Sequence, residues 1–459
     1  MLPEIVTSIP GPRSQDLAAA LSKYENRNVT NVARDFPVFW ERATGANVWD
    51  VDGNRFLDLT AGFAVAAHGH THPSIRAAIT AQSEKLMHAM GDVHPAENKF
   101  RLCQKLSQIT FERWGLGTGK TTLCNSGFEA VEVAIKTSLL HSGNPGVLCF
   151  RGGYHGLGYG ALEVIGIPWF REPFVRQLRD FATSIPYPNC YRCPFGRSEG
   201  YRLEGSRFPN CASSCLAAIE DQIVQAIRNR PIGCILVEPC QGRGGEIVPP
   251  LDFLRMLRRI CDTYKILLVF DEIYTGLNRT GTLFASDQFG VYPDILCLGK
   301  GLTSGFPLAA CVGRAEIMDA WPRSSGEALH TTTFLGNPMG CAAALASIEL
   351  HLEKDAGKRV RALGKQLRDR LVEMALPAIG HVRGLGLMIG AEIVKPDRSP
   401  NPALAFQVVV SALKAGLLIL GGGPEGNVLS FTPPFCIEPE EIDFACAQIY
   451  EYLRLGSVS

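Results

Sequence analysis

Lys300 closes an apolar run, Ile295-Leu-Cys-Leu-Gly-Lys300, and is followed by the small, flexible stretch Gly301-Leu-Thr-Ser-Gly-Phe-Pro307. Shortly upstream a second apolar run ends in acid, Phe270-Asp-Glu-Ile-Tyr-Thr-Gly276. An amine held at the mouth of a sheet, its pKa lowered by burial and a nearby cation, is a nucleophile toward a carbonyl. A carboxylate that keeps a pyridine nitrogen protonated lets the ring take up electrons from a substrate carbanion. The pairing of Lys300 with Asp271 therefore points to a lysine Schiff base with pyridoxal phosphate.

Such a cofactor also needs an anion site. In Asn125-Ser-Gly-Phe-Glu-Ala-Val-Glu-Val-Ala-Ile-Lys136, Ser126 is placed to cap a helix and Gly127 lets the backbone approach an anion. The free amides of the first turn then face the ligand with the positive end of the helix dipole. Glu238 ends another apolar run, so Glu238 and Asp271 belong on the carboxyl-end side of the sheet, where open α/β proteins bind ligands. In Gly152-Gly-Tyr-His-Gly156 the ring of Tyr154 is offered from a glycine-flanked turn, suited to lie over a planar cofactor. Gly115-Leu-Gly-Thr-Gly-Lys-Thr121 imitates a nucleotide-binding loop, but that motif needs a glycine where Trp114 stands, which argues against ATP.

The elements that must position these residues alternate along the chain. Gly146–Phe150, Cys234–Glu238 and Ile266–Asp271 are short, continuously apolar runs of the kind buried on both faces of a parallel sheet. Leu216–Arg228 and Leu251–Tyr264 are amphipathic and long enough for crossover helices, which makes the fold class α/β. Residues 337–376 read as mainly helical, with strands of a smaller unit at Val382–Ile393 and Val428–Phe435. Asp52-Gly53 centres a hairpin signal.

With 459 residues the chain exceeds one ordinary domain, and 45 basic residues balance 45 acidic ones. That balance offers no electrostatic case for nucleic acid or an anionic membrane surface, leaving small molecules or further copies of the chain as partners. The first residues carry an early acid and three prolines rather than a basic start and an apolar stretch, and no apolar run is long enough to cross a bilayer, so a cytoplasmic protein is expected. Most of the 15 cysteines sit inside apolar runs as small buried hydrophobes. Cys190, Cys193, Cys211 and Cys215 form two close pairs in a proline-rich excursion, with bound zinc, a disulfide and free thiols all left open.

Taken in order, Val237 to Gly245, Asp271-Glu-Ile-Tyr-Thr-Gly-Leu-Asn-Arg-Thr-Gly281, the lysine segment and Thr332-Thr-Phe-Leu-Gly-Asn-Pro338 resemble the class III aminotransferases, pyridoxal-phosphate enzymes of fold type I. The resemblance runs from about Pro10 to the last helix. It implies an N-terminal segment (1–60) joining the small domain, a large cofactor-binding domain (61–336) and a C-terminal small domain (337–459). It further implies that Lys300 binds the cofactor and shuttles the proton, that Asp271 pairs with the pyridine nitrogen, and that Tyr154 and Ile273 sandwich the ring. Gly127 and Phe128 would give amides to the phosphate, and Thr333 would reach it from the neighbouring subunit of an obligate homodimer.

Departures from the family pattern are as informative. Tyr274 stands where a glutamine usually touches the cofactor's phenolic oxygen, and Asn278 replaces a usual glycine, asparagine being the residue that best tolerates a left-handed turn. Two arginines that clamp carboxylates in 4-aminobutyrate-type enzymes are replaced by Leu157 and Ser430, while Phe63 adds apolar surface at a substrate wall. Arg243 is the new cation in the loop Gln241-Gly-Arg-Gly-Gly245. The expectation is amino-group transfer from an apolar or aryl amine to a keto acid such as pyruvate. An amino-acid or lactam racemase and a non-catalytic cofactor-binding regulator are the alternatives.

Overall fold

The computed structural model describes residues 1–30, 37–196 and 211–456, and for 211–213 the backbone alone. The chain divides into two units, one formed by Met1–His72 with Lys358–Ser459 and the other by Pro73–Gly357.

The larger unit is built on a seven-stranded sheet. Its order is Gly119–Cys124, Ala309–Arg314, Ile295–Leu298, Leu267–Asp271, Ile232–Val237, Gly146–Phe150, Ala182–Ile185. Ala309–Arg314 runs antiparallel to both of its neighbours, and the four pairings from Ile295–Leu298 to Ala182–Ile185 are parallel. The apolar runs form strands because crossover helices cover the sheet and every residue of Ile232–Val237 and Leu267–Asp271 is buried. Leu251–Tyr264 shows why the connecting segments are helical: Phe253, Leu254, Met256, Leu257, Ile260 and Cys261 recur on one face and are buried, and Lys265 ends the helix in a left-handed conformation. The antiparallel strand Ala309–Arg314 is not singled out by the sequence reading, since Val312 is the single bulky β-branched residue in its short Ala-Ala-Cys-Val-Gly-Arg run.

In the smaller unit, Asn47–Asp50 and Arg55–Asp58 pair antiparallel across the expected hairpin, with Gly53 at φ 89°. The Asp50 carboxylate accepts from the amides of Asp52 and Asn54 at 3.0 and 2.8 Å, which fixes the turn. A second sheet contains Ile379–Leu385, Met388–Ile393, Val428–Phe431 and Leu420–Gly422, packed over a core with Leu363, Leu367, Val408 and Ile449.

The boundaries fall after His72 and Gly357, where the sequence reading sets them after residues 60 and 336. Helix Pro338–His351 is the reason for the later one, because it packs on Pro73–Ser83 and Glu97–Ser107 of the larger unit. The cysteine excursion is also shorter than expected, since Cys211 and Cys215 lie on helix Cys211–Asn229. The side chain of Cys211 is outside the described residues, and no candidate metal cluster occurs among those described. Among the described residues no helix is long and apolar enough to cross a membrane.

Candidate active site

Parallel pairing brings the chemistry together. Asp271 ends one strand opposite Cys297 of the next, and Lys300 follows two residues beyond Leu298, so the two segments leave the same edge of the sheet side by side. Glu238 follows the next parallel strand, and Tyr154 and His155 follow the one after it.

Lys300 has φ 47°, a left-handed backbone that costs a non-glycine residue about 1–2 kcal/mol. Part of its surface is accessible, yet the surrounding protein is dense enough that burial brings its amine pKa down to about 8. Asp271 and Glu238 oppose that shift, and Arg243 and Arg279 add to it. The Lys300 Nζ lies 4.2 Å from the centre of the Tyr274 ring.

Asp271 is buried, and its two oxygens are used differently. Oδ1 accepts from the Ile273 amide at 3.1 Å, and Oδ2 is 2.8 Å from His155 Nδ1. Burial works against a charged His155 ring, but the hydrogen bond and charge of Asp271, helped by Glu238, hold its pKa above the ordinary value. Glu238 joins two loops: Oε1 accepts from the Tyr154 amide at 2.8 Å and Oε2 from the Gly242 amide at 3.0 Å. Burial raises its pKa to about 7, and the charge of Asp271 adds to the rise against the pull of His155. Burial likewise raises Glu272 to about 7, and its carboxylate accepts from the amides of Ala285 and Ser286 at 2.6 and 2.8 Å.

The anion side starts at helix Gly127–Ser142. Here the expected cap differs: the Glu129 carboxylate accepts from the amides of Asn125 and Ser126 at 2.6 and 3.1 Å, whereas Ser126 Oγ is buried without a hydrogen-bond partner. A buried hydroxyl left unpaired beside a helix start is poised for an anionic ligand. Gly127 packs close against the acid-bearing loop: a Cβ there would lie 2.9 Å from Ile273 Cδ1, which would have to shift. At Gly156 a Cβ would meet Phe128 Cβ at 2.3 Å, so the tyrosine turn lies directly against the helix start. Ile273 is thus the meeting point of the helix start and the acid-bearing loop.

Around this floor the side chains are more open. Tyr154 packs edge-on to Phe170 with ring centres 5.5 Å apart, and the exposed Arg243 guanidinium lies 5.8 and 5.7 Å from those two rings. Leu157 is half exposed. Thr333 is exposed, while its neighbour Thr332 accepts from Asn125 Nδ2 at 3.0 Å. Phe63, with φ 62°, and Ser430, paired with Gly390 and Leu420, lie in the smaller unit.

The model of the family described as aminotransferase class-III matches residues 29–453. The chain belongs to the class III aminotransferases. It is 35% identical to a 5-aminovalerate aminotransferase of Pseudomonas putida, over 92% of this chain and 94% of that one. It is equally identical, at 35%, to an alanine/serine racemase of Pyrococcus horikoshii, over 95% and 90% of the two chains. Among solved structures, an amine transaminase from an uncultivated Pseudomonas species in a PLP-bound form superposes with a TM-score of 0.84 at 30% identity, covering 94% of this chain and 98% of that one. The fold is accordingly fold type I and the cofactor of this class III aminotransferase is pyridoxal phosphate. The orphaned Ser126 hydroxyl at a helix start, the low-pKa amine and the buried acid fit that group.

Three residues of this site escape the sequence reading. His155 stands beside Tyr154 in the quoted turn, but a histidine next to an aromatic carries no signal that it will meet Asp271 across the sheet. Arg279 is one of the largest fully buried side chains and acts electrostatically on Lys300. Its position two residues before a glycine, in a run opened by two acids, is the one available hint. Glu272 is adjacent to Asp271, and periodicity alone cannot tell which of two consecutive acids faces the ligand.

Proposed function

We propose that this aminotransferase moves an amino group from an apolar or aryl amine to a keto acid such as pyruvate, by two half-reactions at one site. The cofactor supplies a carbonyl for the amine and a ring that takes up the electrons left when a substrate proton departs. Lys300 holds the cofactor and then carries that proton at Nζ, and a pKa near 8 leaves part of the amine unprotonated at neutral pH. Asp271 holds the proton on the pyridine nitrogen, with His155 donating to its far oxygen so that the carboxylate stays oriented. Tyr154 and Ile273 take the two faces of the ring. Ser126 Oγ and the amides of Gly127 and Phe128 take the phosphate, and Thr333 reaches the phosphate held by a second copy of the chain. Tyr274 offers its hydroxyl to the phenolic oxygen, and Glu238 clamps the tyrosine turn to the Arg243 loop.

The observation that carries this reading is the side-by-side exit of Lys300 and Asp271 from adjacent parallel strands. Substrate choice rests on residue types: Leu157 and Ser430 offer no guanidinium, Phe63 adds an aromatic wall, and Arg243 is the cation left to recognise a carboxylate. We place the enzyme in the cytoplasm as a homodimer, which sedimentation at micromolar concentration checks.

Loading the protein with cofactor, adding single amines or amino acids and following the cofactor absorbance with and without pyruvate or 2-oxoglutarate tests the reading. Recovery of the starting spectrum only with a keto acid supports transfer. Racemisation is the second reading, favoured by the similarity to an alanine/serine racemase. Arg243 counts against it, because a guanidinium that stays protonated cannot serve as a second proton carrier there. Inversion of an amino acid with no keto acid present would establish it.

A further inference from the structure

We propose that Ser347 and His351 are positioning residues for Lys300: from successive turns of one helix they grip the Gly301 carbonyl and hold the lysine in its left-handed conformation, while Asn278 ties the acid-bearing loop to the same helix end. The Gly301 carbonyl accepts from Ser347 Oγ at 2.8 Å and faces His351 Nε2 at 3.2 Å. Positions 347 and 351 are four apart on helix Pro338–His351 and so share a face. On the other side, Asn278 Nδ2 donates to the His351 carbonyl at 2.7 Å and lies 3.5 Å from His351 Nδ1. The tautomer is set by these partners, with the proton on Nε2 toward Gly301 and Nδ1 toward the Asn278 amide. Burial lowers the His351 pKa to about 4, so the ring is neutral at physiological pH, as this arrangement needs.

The residue types argue for a purpose beyond packing. Apart from the exposed Glu349 the helix is otherwise apolar and small, Pro338-Met-Gly-Cys-Ala-Ala-Ala-Leu-Ala-Ser-Ile-Glu-Leu-His351, and the side chains of Ser347 and His351 are both buried, Ser347 completely. A buried hydroxyl and imidazole are unfavourable unless hydrogen-bonded, and alanine and leucine would fill such places without that demand. A serine inside a helix commonly bonds back to its own helix; Ser347 instead reaches out to the peptide next to Lys300. Two non-glycine residues of that segment, Lys300 and Ser304, have positive φ, and Ser304 Oγ lies 3.3 Å from Ser347 Oγ. A strained backbone persists only where its surroundings hold it. Asn278, the residue that departs from the family's glycine, has φ 64°, so it keeps the left-handed turn and adds the amide that bridges to His351.

The inference rests on Lys300 being the cofactor's lysine, which borohydride mapping of the wild type decides independently. The test uses cofactor-free protein, labelled with limiting acetic anhydride from neutral to alkaline pH, with Lys300 modification read by peptide mass spectrometry. Wild type should titrate near pH 8. Ser347→Ala and His351→Phe should move the midpoint up by on the order of half a unit to one unit, as the segment relaxes toward solvent. His351→Gln, which keeps an N–H donor, should stay closer to wild type than His351→Phe. If Ser347→Ala titrates like wild type, or glutamine shifts the midpoint as far as phenylalanine, the positioning role is wrong, whatever happens to melting temperature. Ser347→Ala removes a single hydroxyl and carries the test if His351→Phe does not fold.

Discussion

Asp271, Glu238 and His155 retain 4, 5 and 3% of their accessible surface, while Leu157 retains 50% and Arg243 and Thr333 are exposed. The first group forms a floor at the strand ends, and each member has named partners: Asp271 with His155 and the Ile273 amide, Glu238 with the amides of Tyr154 and Gly242. The second group forms a more open rim, where the guanidinium of Arg243 lies nearly 6 Å from two ring centres. Buried charge is tolerated only when paired, so the floor is tightly determined and commits the protein to one kind of chemistry. Exposed side chains carry no such obligation, and under the proposed function a change at the rim is expected to alter which amine is accepted at little cost to the fold.

The largest effect should come from the floor. Lys300→Ala is expected to lower turnover by at least on the order of 10⁴, with cofactor still bound noncovalently, since a covalent catalyst and a proton carrier go together. Stopped-flow and equilibrium dialysis check the two parts, and appreciable turnover would move the chemistry elsewhere. Asp271→Asn should fold and bind cofactor but lose roughly ten- to a hundredfold in kcat, the worth of a charge-assisted hydrogen bond to the ring nitrogen. Activity within a few-fold of wild type would remove Asp271 from its role.

At the rim the effect should be smaller and selective. Arg243→Ala is expected to raise KM for the keto acid by about tenfold and leave a neutral amine donor little changed. Varying the two substrates independently separates these, and equal effects on both would make Arg243 part of the floor rather than the rim. Efficient use of 4-aminobutyrate by the wild type would equally contradict the apolar preference.

The smallest effect concerns stability. Glu238 has a folded-state pKa raised from 4.5 to about 7. The stability it contributes is therefore full below pH 4.5 and is lost as pH rises through about 7. Glu238→Gln should flatten the fall of melting temperature over that window, although one of the two amides loses its acceptor. The same pH slope in both proteins would mean that the carboxyl is not titrating there.

How much of this was legible in the sequence follows the same division. Lys300, Asp271 and Glu238 stand out because a charge that ends an apolar run can go only to the rim of a buried sheet. The hairpin at Asp52-Gly53 and the left-handed turn at Asn278 follow from local backbone chemistry and are present. His155, Arg279 and the Ser347–His351 grip are contacts between segments far apart in the chain, and no local pattern announces them. Ser126 shows the reverse: local rules assign it to capping, yet Glu129 takes the backbone amides and leaves its hydroxyl unpaired. Helix Pro338–His351 reads correctly as a helix, but its membership of the larger unit depends on the helices it packs against.

The most direct test of the floor is borohydride reduction of the cofactor-loaded wild type followed by peptide mapping. The cofactor mass should appear on the peptide containing Lys300 and nowhere else; label on any other lysine would contradict the assignment on which the account rests.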